Sequence, residues 1–285
     1  MSRSQKNISV VILTYNSEKH IGKCLQSLSG ETNGIAEVVV VDNCSQDKTT
    51  EIVKKDKSTI LISNKTNYGF AKGVNMGIKK TKGNKILILN PDTTIFSGSI
   101  DRLINCQMRL GADIAGGKLL KNDGSIHNSF VRKPDLLTGL FDFTNLRKIT
   151  PFDYFHKRHY YLHDQYPNRG IEVDAVSGAY MLINREVFER IGLFDEKFFM
   201  YLEDIDFCVR AKQSGFKVVF CPKSAIFHEG GASSKNVYKI NYQAWSNSRK
   251  YYFTKHIRIA ANMVIQPLFE LDDFLTSIWR KIKSR

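Results

Sequence analysis

The chain has 285 residues, of which 42% are hydrophobic and 25% are charged, so one large or two small globular domains with a sizeable core are expected. Its formal net charge of +14 predicts an anionic partner: a phosphorylated small molecule, a nucleic acid or an acidic membrane surface. The five cysteines include no CxxC pair, which argues against a disulfide framework or a zinc finger and is typical of the reducing cytosol.

The N-terminal segment contains an apolar run at residues 8–13 that is too short for a signal peptide. No stretch approaches the roughly 18 uninterrupted apolar residues of a transmembrane helix. We therefore expect a cytoplasmic protein without a membrane span.

Over the first 110 residues, four apolar, β-branched runs alternate with segments that show helical periodicity. This alternation predicts a parallel sheet with right-handed crossovers, and hence an α/β fold. The predicted strands are 8–13, 37–41, 59–63 and 85–89, and the predicted helices follow Ser17, follow Ser45 or Asp47, and cover 71–81 and 99–109.

Polar side chains gather where each of these strands ends. They are Thr14 and Asn16, Asp42 and Asn43, Asn67, and Asn90 and Asp92. A single cluster is explained by a turn, and Asn90-Pro91-Asp92 is a typical turn sequence. Four clusters on one edge indicate a site, because open α/β sheets bind ligands at the carboxyl ends of their strands.

The pattern changes after Gly111. A strand over 112–120 and a hairpin turn at 122–124 are predicted before a long loop at 127–170 that covers the site. The later predictions are a strand over 173–183 with a bend at 177–179, helices at 185–191 and 203–213, strands at 218–221 and 225–228, and a helical end from 238.

Three carboxylates, Glu203, Asp204 and Asp206, open the helix predicted after the apolar run FFMYL. Complementing the helix dipole is one explanation, and general-base chemistry with a pKa tuned by the apolar flank is the other. His228 follows an apolar strand, where it is either structural or shares a Mn²⁺ or Mg²⁺ ion with an aspartate from another strand end. No glycine-rich phosphate loop occurs, which argues against a dinucleotide oxidoreductase or a P-loop enzyme.

Several blocks resemble the family 2 inverting glycosyltransferases, particularly their bacterial rhamnosyltransferase-like branch. They include VVILTYNSEKHIGKCLQSL, EVVVVDNCSQDKT, NYGFAKGVNMGI, LILNPDTT and the stretch from VDAVSGAY to SAIFHEGGAS, and they span about residues 8–256. The resemblance implies a GT-A fold, with a Rossmann-like, mostly parallel sheet flanked by helices. It further implies one domain at 1–256, with a nucleotide-sugar-binding half (1–110) and an acceptor-binding, catalytic half (111–256), followed by a helical tail (257–285).

The resemblance also implies roles for individual residues. Asp204 falls at the position of the catalytic base, with Glu203 in a supporting role, and Asp92 and His228 fall at the metal ligands. The first acidic position of the family's DxD motif is Asn90 here, a variant usual in the rhamnosyltransferase-like branch. Gly178 and Arg132 are expected on the acceptor side. The expected nucleotide-sugar contacts are Thr14, Tyr15, Asn16, Asp42, Asn67, Gly69, Phe70, Asn75, Asn90 and Asp92.

The implied activity is metal-dependent, inverting transfer of L-rhamnose from dTDP-rhamnose to a saccharide or lipid-linked saccharide, in bacterial cell-surface polysaccharide synthesis. The same fold with UDP-galactose, UDP-glucose or UDP-N-acetylglucosamine as donor is the near alternative. A nucleic-acid-binding protein, suggested by the charge of +14, is disfavoured because no binding motif occurs and acidic residues fall in the predicted cleft.

The tail at 257–285 lies outside the resemblance. It carries an apolar stripe and closes with Arg280, Lys281, Lys283 and Arg285. Such an amphipathic helix suits a peripheral contact with the inner face of the cell membrane. Packing on the chain's own domain, or on a second subunit of a homodimer, explains the same pattern, and the sequence leaves these alternatives open.

Overall fold

The computed structural model describes residues 7–31, 34–148, 153–161, 166–230 and 238–283. Within them, a ten-stranded sheet forms the centre and a two-stranded sheet pairs β8 with β10. The strands are β1 (Ile8–Thr14), β2 (Ile35–Asp42), β3 (Thr59–Ser63), β4 (Lys85–Leu89), β5 (Thr93–Ile95), β6 (Ile114–Leu120), β7 (Ile126–His127), β8 (Phe130–Val131), β9 (Ile171–Glu172), β10 (Ala175–Val176), β11 (Tyr180–Asn184) and β12 (Val218–His228). The helices are α1 (Ile21–Ser29), α2 (Thr49–Lys55), α3 (Phe70–Ile78), α4 (Ser99–Arg109), α5 (Leu136–Phe141), α6 (Asp153–His159), α7 (Arg185–Ile191), α8 (Glu203–Gln213), α9 (Tyr238–His256) and α10 (Ile259–Lys283), and a 3₁₀ turn covers Asn145–Lys148.

The main path of the large sheet has the order β3-β2-β1-β4-β11-β6-β12-β5. The first four strands in this order are parallel, as predicted, and β11 runs antiparallel between β4 and β6. The predicted α/β class with a mostly parallel sheet is confirmed. All carboxyl ends of β1 to β4 therefore meet at one edge.

The central strand β1 is apolar on both faces because helices cover both sides of the sheet. Val10, Val11 and Ile12 are fully buried, and neighbouring residues of β1 enter different clusters. Val11 packs in a cluster that includes Val74 of α3, and Val10 in one that includes Leu25 of α1. Burial on both faces explains the unbroken apolar run in the sequence.

The prediction of a long loop at 127–170 is wrong in part, because this segment contains β8, α5, the 3₁₀ turn and α6. These helices have seven residues or fewer, too short to show helical periodicity.

The two strands predicted at 218–221 and 225–228 are one strand, β12, whose register against β6 shifts between Cys221 and Ala225. The single strand predicted over 173–183 is two, β10 and β11, separated by the predicted bend at Ser177-Gly178.

One disulfide joins Cys106 of α4 to Cys221 of β12, which corrects the reading of the cysteines as reduced. The two residues are 115 positions apart in the chain. Only the packing of α4 on β12 brings them together, so cysteine spacing could not reveal the pair. Cys24, Cys44 and Cys208 are free thiols.

The tail helix α10 packs on its own domain through one face. Ile265 and Phe269 are fully buried, and the buried Arg249 of α9 bonds Asp272 and Asp273. This face of α10 therefore packs on the chain's own domain, which is one of the alternatives that the sequence leaves open. No helix among the described residues is long and apolar enough to cross a membrane.

Candidate functional site

The ends of β1 and β2 form a hydrogen-bonded network. The Thr14 hydroxyl donates to Asp42 Oδ1 at 3.0 Å, and the Ser45 amide donates to Asp42 Oδ2 at 2.9 Å. The Ser45 hydroxyl accepts from the Asn16 amide, and Asn16 Oδ1 accepts from the Gln46 amide. Tyr15 is half-buried beside this network. The predicted residues Thr14, Asn16 and Asp42 are thus brought together, and Ser45 is the residue that sequence reasoning missed.

A second network fixes the loop before α3. Asn43 Nδ2 donates to Asn67 Oδ1 at 3.2 Å and to the Gly69 carbonyl at 2.9 Å. Asn67 Oδ1 also accepts from the Gly69 amide, and the Phe70 amide donates to the Phe199 carbonyl. Asn67, Gly69 and Phe70 therefore form one rigid wall next to the strand ends.

Replacing Gly69 by alanine is expected to destabilise the fold. Gly69 has φ +81° and ψ −179°, a conformation used almost only by glycine, and a Cβ there would overlap the Phe199 carbonyl oxygen. Backbone strain of about 1–3 kcal/mol and a further overpacking cost of about 1–3 kcal/mol are expected in urea unfolding.

Gly192 provides the matched control, because its φ of +78° and ψ of −177° are nearly the same. A Cβ at Gly192 would meet nothing within 4 Å. Its alanine variant should therefore carry the backbone strain alone. Equal losses of stability in the two variants would show that the contact with Phe199 plays no part.

Asn75 is not brought to the strand-end edge. Its side chain is buried, its amide donates to the Phe194 carbonyl and to Glu196, and its Oδ1 accepts from the Phe194 amide. All its hydrogen-bonding groups are occupied by the chain. The structure places it as a support for the 194–196 segment rather than among the polar groups of the edge.

The end of β4 faces the end of β12. His228 Nε2 lies 3.3 Å from Asp92 Oδ1 and 3.3 Å from Asn90 Nδ2. Burial opposes the charged form of Asp92, but the hydrogen bond and charge of His228 and the more distant His20 hold its pKa below the ordinary value. The His127 ring stacks on His228 with 5.5 Å between ring centres.

These residues fit a divalent cation as a pair of ligands. Neighbouring ligands of an octahedral ion with bonds of about 2.1 Å lie about 3 Å apart, close to the observed Asp92–His228 separation. No group of three or more His, Cys, Asp or Glu side chains suited to a metal ion occurs in the described part of the chain. Any ion held here would therefore take its other ligands from water or from substrate phosphates.

The acidic residues at the start of α8 have different surroundings. Asp206 is fully buried and ion-paired with Arg210, Lys255 and His256, so its role is structural. Asp204 is half-buried and accepts two hydrogen bonds, from the Gly178 amide on Oδ2 at 2.9 Å and from the Ile205 amide on Oδ1 at 2.8 Å.

Burial sets the protonation of the acidic pair. It raises the pKa of Asp204 although the Gly178 and Ile205 amides favour the carboxylate. Burial and the neighbouring charges of Asp204 and Asp206 raise the pKa of Glu203 well above the ordinary value. Glu203 Oε2 is buried and has no hydrogen-bond partner among the described residues. Burial therefore favours the neutral form of Glu203 more strongly than that of Asp204.

The backbone that presents this pair is strained. Tyr201 and Leu202, directly before Glu203, have φ of +75° and +67°. Non-glycine residues in this region cost about 1–3 kcal/mol each and cluster at functional sites. The surrounding contacts hold this turn, among them a hydrogen bond from the Ser248 hydroxyl to the Met200 carbonyl.

The segment Gly178-Ala179 joins the acidic pair to the β4 end. The Gly178 amide bonds Asp204, and the Ala179 carbonyl accepts from the Asn90 amide at 3.1 Å. A Cβ at Gly178 would be 3.5 Å from both the Asp204 Cβ and the Phe70 ring. Asp204, Gly178, Phe70 and Asn90 thus surround one place at the sheet edge.

A cavity of about 440 Å³ is lined by residues of the segment 126–171. His127 at one side stacks on His228, and Tyr160 at the other has its pKa raised by burial and by charges that include Asp204. Arg132 borders it by lying 3.9 Å over the Tyr161 ring. The tyrosines of this cavity were missed because their segment shows no periodicity. Its lining is Ile126, His127, Asn128, Ser129, Phe130, Tyr160, Tyr161, Tyr166, Pro167 and Ile171.

Solved structures of glycosyltransferases share this fold. A mannosyltransferase from Pyrobaculum calidifontis, in complex with GDP-mannose and Mn²⁺, superposes with a TM-score of 0.60 at 18% identity, over 88% of this chain and 64% of that one. S. aureus TarS (residues 1–349) superposes with a TM-score of 0.53 at 19% identity, over 91% of this chain and 69% of that one. The predicted GT-A fold is confirmed.

Relatives of similar length include sugar transferases. The chain is 29% identical to the low-salt glycan biosynthesis hexosyltransferase Agl10 of Haloferax volcanii, over 93% of this chain and 85% of the relative. It is 28% identical to the N-acetylglucosaminyl-diphospho-decaprenol L-rhamnosyltransferase of Mycobacterium tuberculosis (80% and 77%) and 29% identical to the dTDP-rhamnosyl transferase RfbF of Shigella flexneri (86% and 77%).

The model of a glycosyl transferase family 2 domain matches residues 9–192, and that of glycosyl transferase family group 2 matches residues 143–279. The first match alone covers more than half of the chain and contains the strand-end networks, Asn90, Asp92 and Gly178. The predicted resemblance to the rhamnosyltransferases of this family is confirmed by the two relatives of that name. The chain is therefore a member of glycosyl transferase family 2.

Proposed function

We propose that this glycosyltransferase transfers L-rhamnose from dTDP-L-rhamnose, with inversion, to a hydroxyl of a saccharide or lipid-linked saccharide during cell-surface polysaccharide synthesis. The observation that carries the proposal is the half-buried Asp204 carboxylate, which accepts from the Gly178 and Ile205 amides. The residue after Gly178, Ala179, bonds Asn90 at the end of β4. The two relatives named as rhamnosyltransferases support the choice of donor.

In the proposed reaction, an acceptor hydroxyl gives its proton to Asp204 as its oxygen attacks the anomeric carbon. The new carbon–oxygen bond forms on the face opposite the diphosphate, and the bond from that carbon to the diphosphate oxygen breaks. The nucleoside diphosphate leaves with the bonding electrons. The raised pKa of Asp204 makes it a stronger base than an ordinary aspartate.

The remaining predicted residues position the donor. The network of Thr14, Asn16 and Asp42 would hold the nucleoside, and the wall of Asn67, Gly69 and Phe70 would flank the sugar. Asp92 and His228 would hold a Mn²⁺ or Mg²⁺ ion, which supplies positive charge to the diphosphate when bound. Glu203, whose neutral form is favoured by burial, would in that form donate a hydrogen bond to a sugar oxygen.

The acceptor would occupy the tyrosine-lined cavity, with Gly178 and Arg132 at its border. Aromatic faces beside a few polar groups suit the alternating apolar and hydroxylated surfaces of a sugar ring. In this arrangement residues 1–110 bind mainly the donor and residues 111–256 bind the acceptor and carry the base. A lipid-linked acceptor would bring the enzyme to a membrane surface.

A thermal-shift panel tests the donor assignment. The panel contains dTDP-rhamnose, UDP-galactose, UDP-glucose, UDP-N-acetylglucosamine, dTDP and UDP, each with and without Mn²⁺ or Mg²⁺. A ligand at about a hundred times its Kd raises the stability by about 2.7 kcal/mol, which corresponds to a rise in Tm of about 5 °C. We expect this shift with dTDP-rhamnose and metal.

The His228→Ala variant is the control for the metal. It should lose the metal-dependent part of the shift and keep the part due to the nucleoside. A larger shift with a UDP-hexose than with dTDP-rhamnose would indicate that the UDP-hexose is the donor. The absence of a shift with every nucleotide would contradict nucleotide-sugar binding by this site.

A further inference from the structure

The tail helix α10 has an exposed apolar face. Its six residues recur at alternating intervals of four and three, which places them along one side of a helix. Their exposed fractions range from 37% to 68%. We call this stripe the tail face: Val264, Leu268, Leu271, Leu275, Ile278 and Ile282.

The tail face stays exposed to solvent because the neighbouring face of α10 is anchored to the domain. Ile265 and Phe269 are fully buried, and Asp272 and Asp273 bond the buried Arg249. Rotating α10 to bury the tail face would expose these apolar side chains and leave the Arg249 charge buried without partners. Exposed apolar surface of this extent marks an interaction site.

Elements of the domain extend this surface. Leu137 of α5 and Leu146 of the 3₁₀ turn are exposed by 44% and 39%. Both segments pack beside α10, since the Asn145 side chain of the turn donates to Asp272 and Thr276, and Gly139 of α5 lies against Ile265. The apolar surface is therefore broader than a single helix stripe.

Two lysines lie beside this surface. The Lys148 ammonium lies 6.0 Å from the centre of the Trp279 ring, and Lys281 flanks the stripe in the helix. The Arg280 guanidinium lies instead over the Tyr242 ring of α9, on the anchored side. The whole chain carries a net charge of +14. An apolar strip flanked by lysine matches the acyl region and the anionic headgroups of a membrane surface.

We propose that the tail face lies in the interfacial layer of an anionic membrane, with α10 parallel to the membrane plane. Trp279 and Phe274, exposed by 57% and 60% at the borders of the stripe, have the side chains that favour this layer. A second copy of the chain fits less well. Paired helices carry opposite charges beside the apolar seam. Here four of the six flanking positions are uncharged, and the acidic one, Asp272, is already bonded to Arg249. The uncharged positions are Ile265, Pro267, Phe274 and Trp279.

Vesicle flotation of the full chain tests this proposal, independently of the donor or acceptor. Vesicles of phosphatidylcholine alone are compared with vesicles of phosphatidylcholine and phosphatidylglycerol in equal parts. We expect binding to the anionic vesicles, weakened by added salt, with a blue shift of tryptophan emission as Trp279 enters the lipid. The double variant Leu271→Glu/Leu275→Glu should bind at least tenfold more weakly.

The control variant is Met108→Glu, an equally exposed apolar position on α4. It should bind like the wild type. Because all three substituted side chains are exposed, Tm should stay unchanged, which separates lost binding from lost folding. Wild-type binding that is absent, indifferent to phosphatidylglycerol, or unaffected in the double variant would overturn the proposal. A dimer in light scattering that the double variant converts to monomer would overturn it in favour of a second copy.

Discussion

An Asp204→Asn variant is expected to lose turnover by a factor of about 10²–10⁴ while it still binds the nucleotide-sugar. The amide has nearly the shape of the carboxylate, but its single oxygen replaces only one of the two acceptors that the Gly178 and Ile205 amides use, and it cannot take up the acceptor proton. Transfer is measured at saturating donor, and donor binding is measured by the thermal shift with dTDP-rhamnose.

Two controls separate the loss of a base from a general loss of charge. Glu186→Gln removes an exposed carboxylate from α7 and should leave turnover unchanged. Glu203→Gln replaces a side chain whose neutral form burial already favours, so a smaller effect than that of Asp204→Asn is expected. Wild-type turnover in Asp204→Asn would show that another group accepts the proton.

The pH profile gives an independent readout of the same base. Since burial raises the pKa of Asp204 above 3.8, the base form is lost as the pH falls through this higher value. The acid limb of kcat/KM should therefore lie at higher pH than for an ordinary aspartate. The residual rate of Asp204→Asn should lack this limb.

The nucleotide-binding half of the fold could be predicted from the sequence because its signals are local. Each of β1 to β4 is a continuous apolar run, and each is followed by a polar cluster. Chirality and parallel pairing then fix one common edge. This rule brings Thr14, Asp42, Asn43 and Asn67 to the same edge, whereas the hydrogen bonds of Thr14 with Asp42 and of Asn43 with Asn67 are seen in the structure.

The rest depends on contacts between distant segments. The Cys106–Cys221 pair arises from the packing of α4 on β12, and the stacking of His127 on His228 from the pairing of β6 with both β7 and β12. Asn75 is predicted as a donor contact from its place in a motif. In the structure its side chain bonds Phe194 and Glu196, which are 119 and 121 residues away in the chain.

An Arg249→Met variant is expected to lose about 3–5 kcal/mol of stability. Arg249 is 1% exposed, donates to the carbonyls of Phe143 and Phe269, and bonds Asp272 and Asp273 of α10. Removing its charge leaves two partly buried carboxylates without their shared cation. Urea unfolding followed by circular dichroism measures the loss, and protease sensitivity of α10 shows whether the tail detaches first.

Lys250→Met is the comparison variant, because Lys250 also bonds Asp273 but is 23% exposed, against 1% for Arg249. An ion pair that water can reach contributes less than a buried one, so this variant should lose clearly less stability than Arg249→Met. Equal losses in the two variants would show that burial of the Arg249 pairs does not decide the stability of the tail.

The acid dependence of stability follows from the same contacts. Burial opposes ionisation of Asp273, but hydrogen bonds from Lys250, Ser246 and Tyr242 and the charge of Arg249 hold its pKa below 3.8 in the folded protein. A carboxyl group whose folded pKa is lowered stabilises the fold fully above its unfolded pKa and loses this contribution as the pH falls through the folded value. Without Arg249 the folded pKa rises toward the unfolded one, so the stability of Arg249→Met should change less steeply with pH below about 4. Wild-type acid dependence in this variant would mean that Lys250, Ser246 and Tyr242 alone hold Asp273 ionised, and that Arg249 acts on α10 through its contacts with Asp272 and Phe269.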